Sequence, residues 1–132
     1  MKFEIVAPLV AKPRPRVTKR GTYIPKNYED YAILVRNSFR KQCKNKKMLE
    51  GPIKINLIFY MLIPKNTSKV KREKMLKGEL LPAKRPDFDN LAKGITDALN
   101  GLAFKDDNQI VEAHIYKRYG DPQRVEVEIE EV

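Results

Sequence analysis

The segment from Ile53 to Ile63 places the strongest constraint on the fold of this chain. Its first half alternates apolar with polar residues, and its second half, Leu57–Ile63, is the longest unbroken apolar run in the sequence. Gly51-Pro52 precedes the segment and Pro64 ends it, which limits it to the length of a strand. Because a strand that is apolar on both faces needs cover on both, we expect a central position in a β-sheet. The apolar run is also far too short to cross a membrane.

Periodic patterns predict the elements around this strand. Alternation of apolar and polar residues predicts further strands at Lys2–Ala7, Gln109–Tyr119 and Arg124–Glu131. Apolar residues at three- and four-residue steps predict two amphipathic helices, and a third helix is expected to be short and very basic: Tyr28–Lys46, Phe88–Asn100 and Lys69–Lys77. The turn at Gly120-Asp121-Pro122 favours pairing of the last two strands as a hairpin.

The length of 132 residues favours a single domain over residues 1–132. The order of the predicted elements indicates a fold that is α/β in the broad sense of mixed helices and strands, and α+β in the narrower classification. We expect a small mixed sheet with a C-terminal antiparallel hairpin and two or three packed helices.

Charge is distributed unevenly along the chain. Lys and Arg number 27 and Asp and Glu 17, which gives a net charge of +10. The first 80 residues hold 20 basic and 6 acidic groups, whereas the remaining residues hold 7 basic and 11 acidic groups. A basic body beside an acidic region favours a polyanionic partner and a separate place for a cation.

Three stretches carry most of the basic side chains: an extended arm containing Pro13 and Pro15, a row on the first predicted helix, and the short basic helix. Each stretch alone is as well explained by a solvated surface, but together they favour binding of a phosphodiester backbone. The candidate DNA-binding residues are Lys12, Arg14, Arg16, Lys19, Arg20, Arg36, Arg40, Lys44, Lys69, Lys71, Arg72 and, outside these three stretches, Arg85.

The sparse cysteine and histidine content excludes several classes of protein. A single cysteine, Cys43, forms no disulfide within the chain, so a reducing cytoplasm is the expected location. The first ten residues do not resemble a signal peptide, and no membrane partner is expected. With one histidine, His114, neither an ordinary zinc site nor a serine-protease triad is expected.

Acidic residues flank the second amphipathic helix. Asp87 and Asp89 lie two residues apart at its predicted start, and Asp106-Asp107 follows its end. The alternatives are ordinary: one of the first pair caps the helix, and the doublet is a polar turn. If the carboxylates converge, their repulsion is relieved by a hard divalent cation such as Mg²⁺, which prefers oxygen ligands. Such a centre activates water and stabilises the transition state of phosphodiester hydrolysis.

Lys93 follows Asp89 by one helical turn, and Asp97 follows Lys93 by another. An ordinary surface ion pair explains the Asp89/Lys93 spacing equally well. Beside a metal centre, the Lys93 ammonium would bind the scissile phosphate or stabilise developing negative charge. We expect a structural or supporting role for Asp97.

Three motifs together resemble the RusA family of Holliday-junction resolvases. The family pattern is approximately D-x-D-N-x-x-K, then a D-A-L helix end, then D-D-x-Q-[VI] before a strand. The corresponding segments here are Arg85-Pro86-Asp87-Phe88-Asp89-Asn90-Leu91-Ala92-Lys93, Asp97-Ala98-Leu99-Asn100-Gly101 and Asp106-Asp107-Asn108-Gln109-Ile110.

This resemblance implies an endonuclease, dependent on Mg²⁺ or Mn²⁺, that cuts four-way DNA junctions with paired symmetric nicks. It also implies a RusA-like fold, a small homodimer, and frequent encoding by prophages. By position, the catalytic residues would be Asp87, Asp89, Asp107 and Lys93. The metal ligands would be the three aspartates with Asp106, whose role is the least defined of the four.

Two alternatives stay open at this stage. One is a basic nucleic-acid-binding protein without catalysis, in which the acidic residues only cap a helix and form a turn. The other is a nuclease for flaps or replication forks. The presence of Asp87, Asp89, Lys93 and Asp107 together favours an enzyme, since a binding protein gains nothing from carboxylates near phosphate.

Overall fold

A computed structural model describes residues 1–13 and 16–132, apart from the side chains of residues 16–18, 22 and 23. A four-stranded mixed sheet forms its centre. Its strands are β1 (Lys2–Val6), β4 (Ile53–Met61), β5 (Ile110–Tyr119) and β6 (Arg124–Glu131), in the spatial order β1-β6-β4-β5. Strand β4 pairs parallel with β5 and antiparallel with β6, which confirms the predicted central strand and mixed sheet.

The predicted C-terminal hairpin is wrong, because β4 lies between β5 and β6. The connection after β5 crosses the end of β4, where the Gly120 amide donates a hydrogen bond to the Met61 carbonyl at 3.0 Å. A Cβ atom at Gly120 would lie 2.6 Å from Cβ of Tyr60, so glycine permits this close crossing. The turn residues indicated where the chain reverses direction, but they carry no information about β4, which lies between the two strands that the turn connects.

Two helices cover one face of the sheet. They are α1 (Lys26–Gln42) and α3 (Phe88–Leu99). A third helix, α2 (Lys69–Leu76), is capped by the side chain of Ser68. Alternate residues of β4 and β6 point toward α1 and α3 and are almost completely buried. Helices α1 and α3 are therefore held in place by an apolar core between the helix layer and the sheet.

The first helix is shorter than predicted. It ends at Gln42, so Lys44 lies beyond it and does not continue the helical row of Arg36 and Arg40. The Cys43 amide still bonds to the Phe39 carbonyl, but Cys43 itself has non-helical backbone angles, with φ −113° and ψ 47°, and Asn45 follows with a positive φ of 65°.

The basic arm contains a small two-stranded sheet where the sequence indicated only an extended segment or loop. Strands β2 (Arg16–Thr18) and β3 (Gly21–Tyr23) pair antiparallel, and Gly21 has a φ of +121° at the reversal. None of the helices in the described part of the chain has the length and apolar character needed to cross a bilayer.

Candidate active site

The N-terminus of α3 presents two carboxylates in different ways. Asp87 occupies the N-cap position with extended backbone angles, yet within the described helix its side chain makes no capping hydrogen bond. Asp89 lies in the first turn, where its Oδ1 accepts a hydrogen bond of 2.9 Å from the Asn90 amide. Both side chains are exposed. Asp87 therefore occupies the N-cap position, but helix capping does not account for its side chain, which makes no such hydrogen bond.

An open groove of about 660 Å³ lies beside Asp87 and is lined by Arg85, Pro86 and Asn90. A second depression next to it includes Phe88, Asp89 and Lys117. Lys117 extends from β5 and donates hydrogen bonds to the backbone carbonyls of Lys84 and Pro86, the latter at 2.8 Å. Lys117 thus ties the loop before Asp87 to the sheet, and no sequence pattern distinguished it from other strand lysines.

Lys93 lies between two carboxylates one turn further along α3. Its Nζ is 2.9 Å from Oδ2 of Asp107 and 3.0 Å from Oδ1 of Asp97. Hydrogen bonds to both anions raise the pKa of Lys93. The same bond from Lys93 lowers the pKa of Asp107. The tertiary structure thus brings Asp107 to the helix face that carries Lys93.

Asp97 also binds groups from outside its helix. Its Oδ2 lies 3.0 Å from Nζ of Lys12 and accepts a hydrogen bond of 3.0 Å from the Tyr28 hydroxyl. Burial acts to raise the pKa of Asp97, but the hydrogen bonds from Lys12, Lys93 and Tyr28 outweigh it and lower that pKa. Burial and the nearby Asp97 charge raise the pKa of Tyr28. Asp97 consequently stays ionised at neutral pH.

Asp106 makes the bonds of a helix cap. It precedes a single 3₁₀ turn, Asp107–Gln109, and its Oδ1 accepts a hydrogen bond of 3.3 Å from the Asn108 amide. Gln109 completes this capping box, because its Oε1 accepts from the Asp106 amide at 2.9 Å. The Gln109 amide group also donates to the carbonyls of Leu49 and Gly51. The doublet is thus a structured turn that aims Asp107 at Lys93.

The four predicted metal ligands do not form one cluster. Across residues 1–13 and 16–132, no three acidic, histidine or cysteine side chains lie close enough together to hold one metal ion. The donor chemistry nevertheless suits a hard divalent cation: Asp87 and Asp89 offer exposed carboxylate oxygens, and Asp107 offers one that already binds a cationic group.

The predicted DNA-binding residues differ in their surroundings. Arg14 lies outside the described residues, as does the side chain of Arg16. Arg36 is half-buried, and three others make polar contacts: Lys12 with Asp97, Arg40 with Asn37, and Arg72 with Asp121. The exposed ones are Lys19, Arg20, Arg40, Lys44, Lys69, Lys71 and Arg85.

Sequence reasoning missed Tyr28 and Gly94 as parts of the site. Tyr28 was expected only to bury an apolar face of α1, whereas its hydroxyl binds Asp97. Gly94 lies inside α3, where a Cβ atom would come within 2.8 Å of the Val10 carbonyl oxygen. A glycine inside an otherwise regular helix is a signal of close packing, and this one was available in the sequence.

Comparison with known proteins bears on the same residues. The chain matches the family described as Endodeoxyribonuclease RusA over residues 7–130. It is 37% identical over 141 residues to uncharacterized protein YqaN of Bacillus subtilis (strain 168), with 100% of this chain and 96% of that protein covered. It is 34% identical over 115 residues to crossover junction endodeoxyribonuclease rusA of Lactococcus phage r1t, with 86% of this chain and 76% of that protein covered.

The family match includes α3 and the turn that follows it, and thus every acidic residue of the site. Nucleases of this family are generally dependent on divalent metal ions. With a mixed α+β fold and a match over nearly its whole length, this chain belongs to the RusA family and is an endodeoxyribonuclease.

Proposed function

We propose that this protein resolves four-way DNA junctions by paired symmetric nicks, as a homodimer that uses Mg²⁺, with Mn²⁺ as a substitute. The observation that carries the proposal is the position of Lys93. It lies against Asp107 and one turn from Asp89, which lines the depression at the start of α3, on a chain with a net charge of +10. The name of the Lactococcus phage relative, a crossover junction endodeoxyribonuclease, supports the choice of substrate.

Asp87, Asp89 and Asp107 are the residues that would hold the metal ion, which would have to draw together carboxylates that lie apart in the described structure. When bound, a divalent cation there supplies an activated water and neutralises charge on the phosphate. Asp106 would support these three ligands by capping the turn that orients Asp107, and would contribute less to metal binding than they do. Lys93 would donate a hydrogen bond to a non-bridging phosphate oxygen and stabilise the negative charge that develops there.

The basic side chains would hold the DNA by its backbone. Exposed cations on the arm, on α1 and on α2 favour contacts to phosphate, which fix position without reading sequence. A two-fold symmetric dimer presents two identical sites to opposed strands of a junction, which itself has approximate two-fold symmetry. Paired nicks follow from that arrangement. A cytoplasmic location, where chromosomal or prophage DNA is accessible, accords with the single cysteine.

The test is cleavage of a synthetic mobile four-way junction, with and without Mg²⁺, beside a linear duplex and a flap substrate of the same sequence. We expect metal-dependent, paired nicks in the junction and little cleavage of the linear duplex. Preferential cleavage of the flap would replace the proposal by a flap or fork nuclease. Junction binding without cleavage in either Mg²⁺ or Mn²⁺ would indicate a non-catalytic role.

A further inference from the structure

Asp97 gathers three donors from three parts of the chain. Lys93 comes from the same helix, Tyr28 from α1, and Lys12 from the segment that leads into the basic arm. Both carboxylate oxygens are engaged, Oδ1 by Lys93 and Oδ2 by Lys12 and Tyr28. A carboxylate with both oxygens already bound by the protein's own donors is suited to holding other side chains in place.

The segment before the arm lies along α3 at three successive points. The Lys12 amide donates a hydrogen bond of 2.8 Å to the Asn90 carbonyl. The Val10 carbonyl oxygen lies 2.8 Å from the position that a Cβ of residue 94 would take, and the Lys12 ammonium reaches Asp97. Asn90, Gly94 and Asp97 follow one another at steps of four and three residues, so they share one face of the helix.

We propose that Asp97 is a positioning residue that holds the Lys93 ammonium at the active site and, through Lys12, docks the segment that leads into the basic arm against the same helix. This inference rests on the function proposed above, because it assigns Lys93 a part in cleavage. Asp97 binds Lys93 independently of Asp107, so the ammonium keeps an anchor when Asp107 is engaged by another cation. The carboxylate thereby couples a group that acts on the phosphate to a segment that contacts the DNA.

The first test measures lysine reactivity and needs no nuclease activity. Wild-type protein and Asp97→Asn are treated briefly with an acetylating reagent, and the labelling of each lysine is measured by mass spectrometry. We expect Lys12 and Lys93 to be labelled several-fold faster in the variant, because each loses an ion-pair partner, while the other lysines keep their wild-type rates.

The matched control is Glu130→Gln on β6. Glu130 pairs with Lys54 at 2.8 Å, so the control removes an ion pair of similar length that lies away from α3. We expect faster labelling of Lys54 alone and an unchanged rate of junction cleavage. Unchanged labelling of both Lys12 and Lys93 in Asp97→Asn would overturn the proposal, whatever the cleavage data show.

The second test separates positioning from general stability. We expect Asp97→Asn to lower the single-turnover cleavage rate at saturating enzyme by about tenfold or more, since small displacements of a catalytic group are costly. Junction affinity should fall less than the rate, and Asp97→Glu, which keeps the charge, should recover part of the rate. An unchanged cleavage rate in Asp97→Asn would overturn the role in positioning Lys93.

Failure of the proposed junction cleavage can be distinguished from failure of the role proposed for Asp97. A wild-type protein that cuts no junction contradicts the proposed function, while the labelling result still tells whether Asp97 holds the two lysines.

If Asp97→Asn does not fold, Lys12→Gln provides the second variant. It leaves α3 intact, and we expect it to weaken junction binding by more than the exposed variant Lys44→Gln does. Equal effects of the two lysine variants would contradict the docking of this segment through Lys12.

Discussion

The two halves of α3 use their carboxylates differently. At its N-terminus, the side chain of Asp87 makes no capping hydrogen bond within the described helix, and Asp89 accepts one hydrogen bond from the next backbone amide. Both residues line the depression that includes Lys117. In the second half, Asp97 is bound by two lysines and a tyrosine hydroxyl. The exposed carboxylates are available to a ligand from solution, whereas the engaged one organises the protein's own cations. Similar residues on one helix thus differ in role because of what packs against them.

The largest expected effect concerns the N-terminal half. Asp87→Asn or Asp89→Asn should abolish cleavage of the four-way junction and leave binding intact or tighter, because the change removes a metal ligand and a negative charge near phosphate. Cleavage rates in Mg²⁺ and binding measured by gel shift decide it. Near wild-type cleavage by either variant would show that this end of α3 is not the metal site.

The next effect concerns Lys93, where the two halves meet. Lys93→Ala should lower the cleavage rate by about a hundredfold, equivalent to ~3 kcal/mol of transition-state stabilisation. Affinity should change little, since 26 other basic residues remain in the chain. Single-turnover rates and binding titrations of the same preparation provide the comparison. A loss of affinity as large as the loss of rate would make Lys93 an ordinary phosphate contact.

A smaller effect is expected at Gly94, in the engaged half. Alanine is the better helix former by about 1 kcal/mol, but its Cβ would meet the Val10 carbonyl oxygen at 2.8 Å. Overpacking of this kind costs about 1–3 kcal/mol, so we expect Gly94→Ala to lower the free energy of unfolding. Urea denaturation measures it. Gly51→Ala is the control, because nothing lies within 4 Å of a Cβ there. A stabilised Gly94→Ala would show that the N-terminal segment does not lie tightly on α3.

The smallest effect is the pH dependence contributed by Asp97. Its pKa is lower in the folded protein than in the unfolded chain, so its ion pairs stabilise the fold above the ordinary aspartate pKa. That contribution, about 1 kcal/mol or less for a partly exposed pair, is lost as the pH falls through the lowered folded pKa. Urea denaturation of wild type and Asp97→Asn at neutral and acidic pH should therefore differ more at neutral pH. A constant difference would mean that charge is not what Asp97 contributes.

Local patterns predicted most of the elements closely. The strand Arg124–Glu131 has the predicted bounds, and α3 begins at Phe88 as expected, because alternation and helical periodicity are short-range properties. Gly101 follows the end of α3 with a φ of +79°, a conformation that favours glycine at this position. The motif around Asp87, Asp89 and Lys93 was also visible, since one helix start and one helical turn determine its spacing.

The sequence by itself thus determined most of the elements, the family and the candidate residues. The tertiary structure decided which strand neighbours which, because β4 enters between β5 and β6 through pairing that no turn residue encodes. It also decided that Asp107 and Asp97 share Lys93, and that Lys12, 85 residues before Asp97, completes the group. Side chains distant in sequence meet only through packing of the whole core, and packing is a property of the complete chain.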